Sequence, residues 1–249
     1  AKGITGIHGT CSTYYTGGSY QKSNHEQVNN TYEIIIMGLS QVITVWQSHF
    51  WRKRMNGILC ADMDNTIIYS YKRNIGENKL NVELYNGREI SFISEKTHDL
   101  LKKVSEKMTI IPTSTRTEEQ YKRIDLDIGI VPYALVCNGG VLLVNGKRDR
   151  EWYLESLQMI RNSRPEMEKA QQILAGDSRR KFELRFLDEL FIFTKCEKPE
   201  EVVEDLQAKL ATKLVDVFHN GEKVYVVPVN LSKGMAVRRL RKRLQPAYI

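Results

Sequence analysis

The stretch Ile58-Leu-Cys-Ala-Asp-Met-Asp-Asn-Thr66 decides the fold. Ile58 to Ala61 is a short unbroken apolar run, the pattern of a strand buried on both faces. Asp62 and Asp64 follow at its carboxyl end, where open α/β sheets place their sites. Residues i and i+2 of a strand project to the same side, so the two carboxylates are expected to share a face. Phosphoryl transfer through an enzyme carboxylate needs such a pair. One Asp attacks, and the other donates a proton to the departing oxygen and then serves as base for water. Asp-x-Asp also occurs in calcium loops, but here the position that such a loop gives to its Gly holds Ile67.

Outward from this stretch, strands and helices alternate, which argues for an α/β fold with a parallel sheet covered on both faces. Leu80 to Phe92 alternates with period two around Asn86-Gly87, a strong hairpin signal. A helix is expected over Glu95 to Lys107, with Ser94 as its cap and Leu100, Leu101 and Val104 as its apolar stripe. Met108 to Pro112 reads as a strand, Thr117 to Arg123 as a capped short helix, and Ala134 to Cys137 as a strand ending in Asn138-Gly139-Gly140.

Beyond Asn145-Gly146 the rhythm becomes helix, hairpin, helix, hairpin. Glu166 to Leu174 is expected to be helical. Phe182, Leu184 and Phe186 alternate before a turn at Asp188-Glu189, and Phe191 and Phe193 continue on the return strand. Pro199 to Leu210 reads as a helix with Pro in its first turn. Val215 to Phe218 and Val224 to Val227 flank Asn220-Gly221 as a second hairpin. Residues 146–228 therefore form an inserted α+β module between two parts of the sheet domain, 55–145 and 229–249.

Two further stretches carry chemistry. The strand at Met108 runs into Thr113-Ser114-Thr115-Arg116, which offers hydroxyls and a cation. Val227-Pro-Val-Asn-Leu-Ser-Lys-Gly-Met235 puts Lys233 at a helix start, where an ammonium and nearby backbone N–H groups would meet an anion. Taken together, these sites resemble the haloacid dehalogenase superfamily, in its Cof-type and sucrose-phosphate-phosphatase-like branch, over roughly residues 56 to 244. Asp62-Met-Asp64-Asn-Thr66 matches its first motif, Ser114 with Arg116 its second, Lys233 its third, and Asn138 an Asn-Gly strand end.

The resemblance implies a Rossmann-like core with a C2-type cap, and Mg2+ held by the Asp62 carboxylate and the Asp64 carbonyl. It also implies Asp62 as nucleophile, Asp64 as acid/base, Thr66, Ser114 and Lys233 on the phosphoryl oxygens, and Arg116 and Asn138 toward the substrate. The expected activity is hydrolysis of a small phosphorylated metabolite, with a sugar phosphate in view, through an aspartyl-phosphate. A phosphosugar mutase and a catalytically silent binding module are the alternatives. The family's fourth motif, Gly-Asp with a further acid, has no counterpart after Lys233. Gly176-Asp177-Ser178 precedes Lys233 and leads into Arg179-Arg180-Lys181, so it reads as a cap loop. Truncation of a longer protein is one account of the missing motif.

Composition narrows the classes. The net charge of +7 is terminal: residues 233–249 hold six basic residues and no acid, and residues 1–54 hold five basics against two acids. Val237, Leu240 and Leu244 mark a surface helix with a solvated basic face, and a nucleic-acid partner is not expected. The longest apolar stretch, Ile34 to Trp46, has 13 residues against the roughly 20 of a membrane span, so no membrane partner is expected. Four scattered cysteines without a C-x-x-C pair suit a reducing compartment and a cytoplasmic protein. Residues 1–54 carry no recognisable site.

Overall fold

The structure is a computed structural model that describes residues 57–246. The expectations for residues 1–54 lie outside it. Along the chain, β1 (Ile58–Asp62) is followed by β2 (Tyr69–Ser70), β3 (Lys79–Tyr85) and β4 (Arg88–Ser94), which form a three-stranded antiparallel sheet in the order β2-β4-β3. The β3–β4 turn is Asn86-Gly87, with φ of 50° and 73°, the two left-handed positions that a two-residue hairpin turn requires. Helix α1 (Glu95–Ser105) starts where the Ser94 hydroxyl accepts from the Thr97 N–H. Next come β5 (Thr109–Thr113), α2 (Glu118–Lys122), opened by a reciprocal capping box between Thr117 and Gln120, and β6 (Tyr133–Val136).

β5 lies between β1 and β6, parallel to both, with Asp62 opposite Thr113. The sheet then departs from the all-parallel expectation. β7 (Val141–Val144) and β8 (Lys147–Arg148) complete it in the order β1-β5-β6-β7-β8, and both join antiparallel. The cause is the three-residue 3-10 turn Cys137–Gly139 between β6 and β7, far too short for a parallel crossover. The domain boundary expected at residue 146 falls inside the β7–β8 turn.

Helix α3 (Arg150–Ile160) was not expected from the sequence, because its buried positions Trp152, Ser156 and Ile160 include a serine that interrupts the apolar stripe. Trp152 packs with Ile58, Ile111, Leu135, Leu142, Ala236 and Leu240 on one face of the sheet. On the other face, Met63, Ile67, Val82, Ile93, Leu101 and Ile110 form a second cluster. Helix α1 turns His98 and Leu101 inward and leaves Leu100 exposed, so the stripe expected there is rotated by part of a turn.

After a 3-10 turn, α4 (Arg164–Ala175), β9 (Arg185–Leu187), β10 (Phe191–Lys195), α5 (Pro199–Lys209), β11 (Val215–Asn220) and β12 (Lys223–Pro228) build a four-stranded antiparallel sheet in the order β11-β12-β10-β9. Ile192, Val217, Val224 and Val226 join Met167, Ala170, Leu174, Val202 and Leu206 in one core. Phe182 and Leu184 alternate as a strand would, yet β9 starts only at Arg185. The Thr194 hydroxyl donates to the carbonyls of Phe182 and Glu183 in place of a ladder. The second hairpin turns at Gly221-Glu222, with Asn220 paired to Lys223.

The final helix, α6 (Lys233–Leu244), is capped by the Ser232 hydroxyl and rests directly on the 3-10 turn. A Cβ on Gly139 would stand 2.3 Å from the Ala236 Cβ, and Gly139 itself has φ of +88°. Gly139→Ala should therefore combine a clash with left-handed strain, lowering stability by roughly 2–4 kcal/mol in a urea titration. It should also displace the helix that carries Lys233.

Candidate active site

The end of β1 is organised around Met63, whose side chain is fully buried beneath the sheet while Asp62 and Asp64 turn the other way into solvent reach. One Asp62 oxygen (Oδ1) accepts from the Met63 N–H at 2.8 Å and from Lys233 Nζ at 2.6 Å. Lys233 comes from 171 residues away, at the first turn of α6. The approach depends on the turn after β6: Asn138 Nδ2 donates to the Leu231 carbonyl at 2.9 Å, and Trp152 Nε1 donates to the Gly139 carbonyl at 3.0 Å.

Asp64 is held from the end of β5. Arg116 Nη2 donates to Asp64 Oδ1 at 2.9 Å, Nε lies 3.1 Å from both carboxylate oxygens, and the Ser114 hydroxyl donates to Oδ2 at 3.2 Å. Ser114 also accepts from the Arg116 backbone N–H at 3.1 Å, which closes a small ring of contacts. Burial works against the Arg116 charge. The hydrogen bonds and charges of Asp64 and Glu83 outweigh it and hold the guanidinium above the ordinary arginine range.

Five of the residues singled out from the sequence thus converge: Asp62, Asp64, Ser114, Arg116 and Lys233. Asn138 has its amide nitrogen committed to Leu231, which makes it a positioning contact for the Lys233 segment. Thr66 is exposed on the turn beyond Asp64, where its carbonyl accepts from the Tyr69 hydroxyl at 3.2 Å.

Glu83 was missed. Its side chain is completely buried, and its carboxylate accepts from Arg116 Nη1 at 2.8 Å, Arg123 Nε at 3.2 Å and Ser91 Oγ at 2.6 Å. The alternation along β3 points Glu83 away from Val82, but the β3–β4 register shifts on both sides of Glu83, and both residues end up buried while Leu80 and Leu84 are exposed. A bulge re-aims a side chain in this way, and no period-two reading contains one.

A cavity of about 530 Å³ opens between this cluster and the four-stranded sheet. Asp64, Glu83, Arg116 and Arg123 line it on one side, and Arg185, Phe193, Lys195, Lys223 and Tyr225 on the other. Burial, with a smaller contribution from Asp64, pushes the Tyr225 hydroxyl up to about 12. Among the described residues, no group of three or more His, Cys, Asp or Glu side chains is spaced to hold a metal ion. The oxygens that remain, the Asp62 carboxylate and nearby main-chain carbonyls, are hard donors. With phosphate oxygens and water they match the sparse protein ligation that Mg2+ accepts.

The ion pairs of Glu83 and of Asp62 differ in what they contribute to stability. Glu83→Ala leaves Arg116 and Arg123 without their buried partner, and should cost about 3 kcal/mol in a denaturant titration. Asp62→Asn removes one partner of a half-exposed pair, and should change stability by less than about 1 kcal/mol.

No family model matches this sequence, and no curated protein matches it. Solved structures do. The C-terminally truncated IMP-nucleotidase of Plasmodium falciparum is 12% identical, with a TM-score of 0.51, over 88% of this chain and 68% of that one. The sucrose-phosphatase of Synechocystis is 16% identical, with a TM-score of 0.46, over 60% of this chain, which spans 62% of its length. A haloacid dehalogenase-like hydrolase from Bacteroides thetaiotaomicron is 14% identical, with a TM-score of 0.42, over 76% of this chain and 77% of that one. With a parallel strand ending in Asp-x-Asp, a hydroxyl and an arginine after the neighbouring strand, a lysine at the last helix and an α+β sheet between them, the chain has a Rossmann-like α/β fold that it shares with the Plasmodium IMP-nucleotidase.

Proposed function

We propose that this chain is a phosphomonoester hydrolase that works through an aspartyl-phosphate on Asp62. The observation that carries the reading is the contact of Lys233 Nζ with Asp62 Oδ1 at 2.6 Å, which sets a cation beside the attacking oxygen where a phosphoryl group would dock. An Asp62 oxygen attacks phosphorus and the ester P–O bond breaks. Asp64, protonated, gives its proton to the departing oxygen. Water then attacks the phosphorus of the acyl phosphate, Asp64 takes the water's proton, and Asp62 leaves as a carboxylate. Both oxygens of Asp64 are engaged by Arg116 and Ser114, so each proton transfer requires at least one of those bonds to open.

Mg2+ is part of the proposal. The Asp62 carboxylate and the Asp64 main-chain carbonyl would be its protein ligands, and the ion would offset the charge between phosphate and carboxylate. Lys233 and the N-terminus of α6 supply fixed positive charge for the phosphoryl oxygens. The four-stranded sheet module is proposed as a cap that covers a small phosphorylated metabolite, sugar phosphates among them. The described cysteines Cys60, Cys137 and Cys196 are free thiols, which fits a cytoplasmic setting. No helix among the described residues is long and apolar enough to cross a membrane.

The test is release of p-nitrophenol from p-nitrophenyl phosphate. Asp62→Asn should lower kcat by at least about 10³-fold, and Lys233→Ala by about 10²-fold. Chelation should abolish turnover, and added Mg2+ should restore it. Turnover that survives Asp62→Asn unchanged excludes the mechanism.

A further inference from the structure

The four-stranded sheet has two unlike faces. Ile192, Thr194, Val224 and Val226 are buried against α4 and α5. The alternate residues face the cavity. Cross-strand register on that face sets Arg185 opposite Phe193, Phe193 opposite Tyr225, and Lys195 opposite Lys223. The Phe193 and Tyr225 rings lie 5.3 Å apart, and Phe218 stacks on Tyr225 at 5.2 Å.

The Lys195–Lys223 pair is the unusual element. Directly opposed residues on one face have Cβ atoms roughly 5 Å apart, and like charges placed so are destabilising. Acids are close by in sequence. Glu197 and Glu222 could neutralise the two lysines, but Lys181 takes both. The cavity's own carboxylates are committed too, Asp64 to Arg116 and Glu83 to Arg116 and Arg123. Among the described residues, neither Lys195 nor Lys223 has an ion-pair partner, and Lys195 is placed 5.3 Å from the Phe182 ring. A folded chain that keeps two opposed ammonium groups over a cavity, with their nearest acids diverted, carries an electrostatic cost that a bound anion would relieve.

Resting on the phosphatase reading, we propose that the substrate carries a second anionic group, a phosphate or a carboxylate, held by Lys195 and Lys223 while its first phosphate meets Asp62. The carbon skeleton between the two anions lies against Phe193 and Tyr225. A neutral leaving group would leave the lysine pair uncompensated, and a cavity of about 530 Å³ accommodates a small bis-anionic metabolite.

The experiment compares fructose 1,6-bisphosphate with fructose 6-phosphate on the full chain, on Lys195→Met, on Lys223→Met and on the double variant, with p-nitrophenyl phosphate as a general substrate for the unaltered chain. The unaltered chain should favour the bisphosphate in kcat/KM by about tenfold or more, the scale of one charge-assisted contact. In the double variant that ratio should fall to about one, mainly through KM. If p-nitrophenyl phosphate is turned over but the bisphosphate is not preferred, or the double variant keeps the preference, the second-anion site is wrong and the phosphatase reading stands.

If p-nitrophenyl phosphate is not turned over, the phosphatase reading fails, and calorimetric binding decides the site alone. Bisphosphate binding about tenfold tighter than monophosphate, lost in the double variant, upholds it. Equal binding of the two overturns it. Thermal melts without ligand add a check on the repulsion: Tm should rise for Lys223→Met, and a fall removes the premise.

Discussion

Asp62 and Asp64 place two negative charges two residues apart at the end of a strand that is otherwise apolar, and the architecture around them exists to bring cations there. Lys233 reaches Asp62 from 171 residues away, and Arg116 reaches Asp64 from 52 residues away. Each cation arrives by a different device. Lys233 rides on α6, which can approach only because Gly139 has no side chain to meet Ala236. Arg116 follows β5 and is braced from behind by Glu83, a carboxylate with no exposure. A buried charge with one partner removed is costly, so Glu83, Arg116 and Arg123 stand or fall as a unit.

Asp62, Asp64, Ser114, Arg116 and Lys233 were legible in the sequence because each sits at the end of a strand or the start of a helix, where local pattern and position coincide. Glu83 was illegible because its inward turn comes from register shifts with β4, a relation between two strands. Helix α3 escaped notice because Ser156, whose hydroxyl donates to the Trp152 carbonyl at 2.8 Å, occupies a buried position that an apolar residue would have advertised. The antiparallel half of the sheet follows from a three-residue turn whose consequence appears only once β6 and β7 are placed side by side.

The basic run of α6 illustrates the same limit in a different currency. Sequence periodicity correctly separates Leu240, which is fully buried, from the charged positions. It cannot say what those charges do. Arg239 stacks on the Trp152 ring at 3.8 Å from its centroid and donates to the Trp152 carbonyl, Ser156 and Glu155, while Arg243 pairs with Asp149 at 2.7 Å. These two arginines fasten α6 to α3 and so hold Lys233 in place. Guanidinium suits the task, because it can stack and hydrogen-bond at once where an ammonium cannot.

The inserted sheet separates stability from selectivity by its pleat. Its valine and isoleucine face is buried against two helices and holds the module together, so a change there is paid in folding. Its other face is open to the cavity at Arg185, Lys195 and Lys223, with Phe193 and Tyr225 between them packed against the edge of the core. Side chains on that face are free to serve recognition at some cost in stability, which is how an opposed pair of lysines can persist. In the proposed reaction the core cluster positions only the phosphoryl group and makes no contact with the rest of the substrate. Under that proposal, discrimination between substrates falls to the pleated face that lines the cavity opposite Asp64, where the period-two alternation turns Arg185, Phe193, Lys195, Lys223 and Tyr225 the same way.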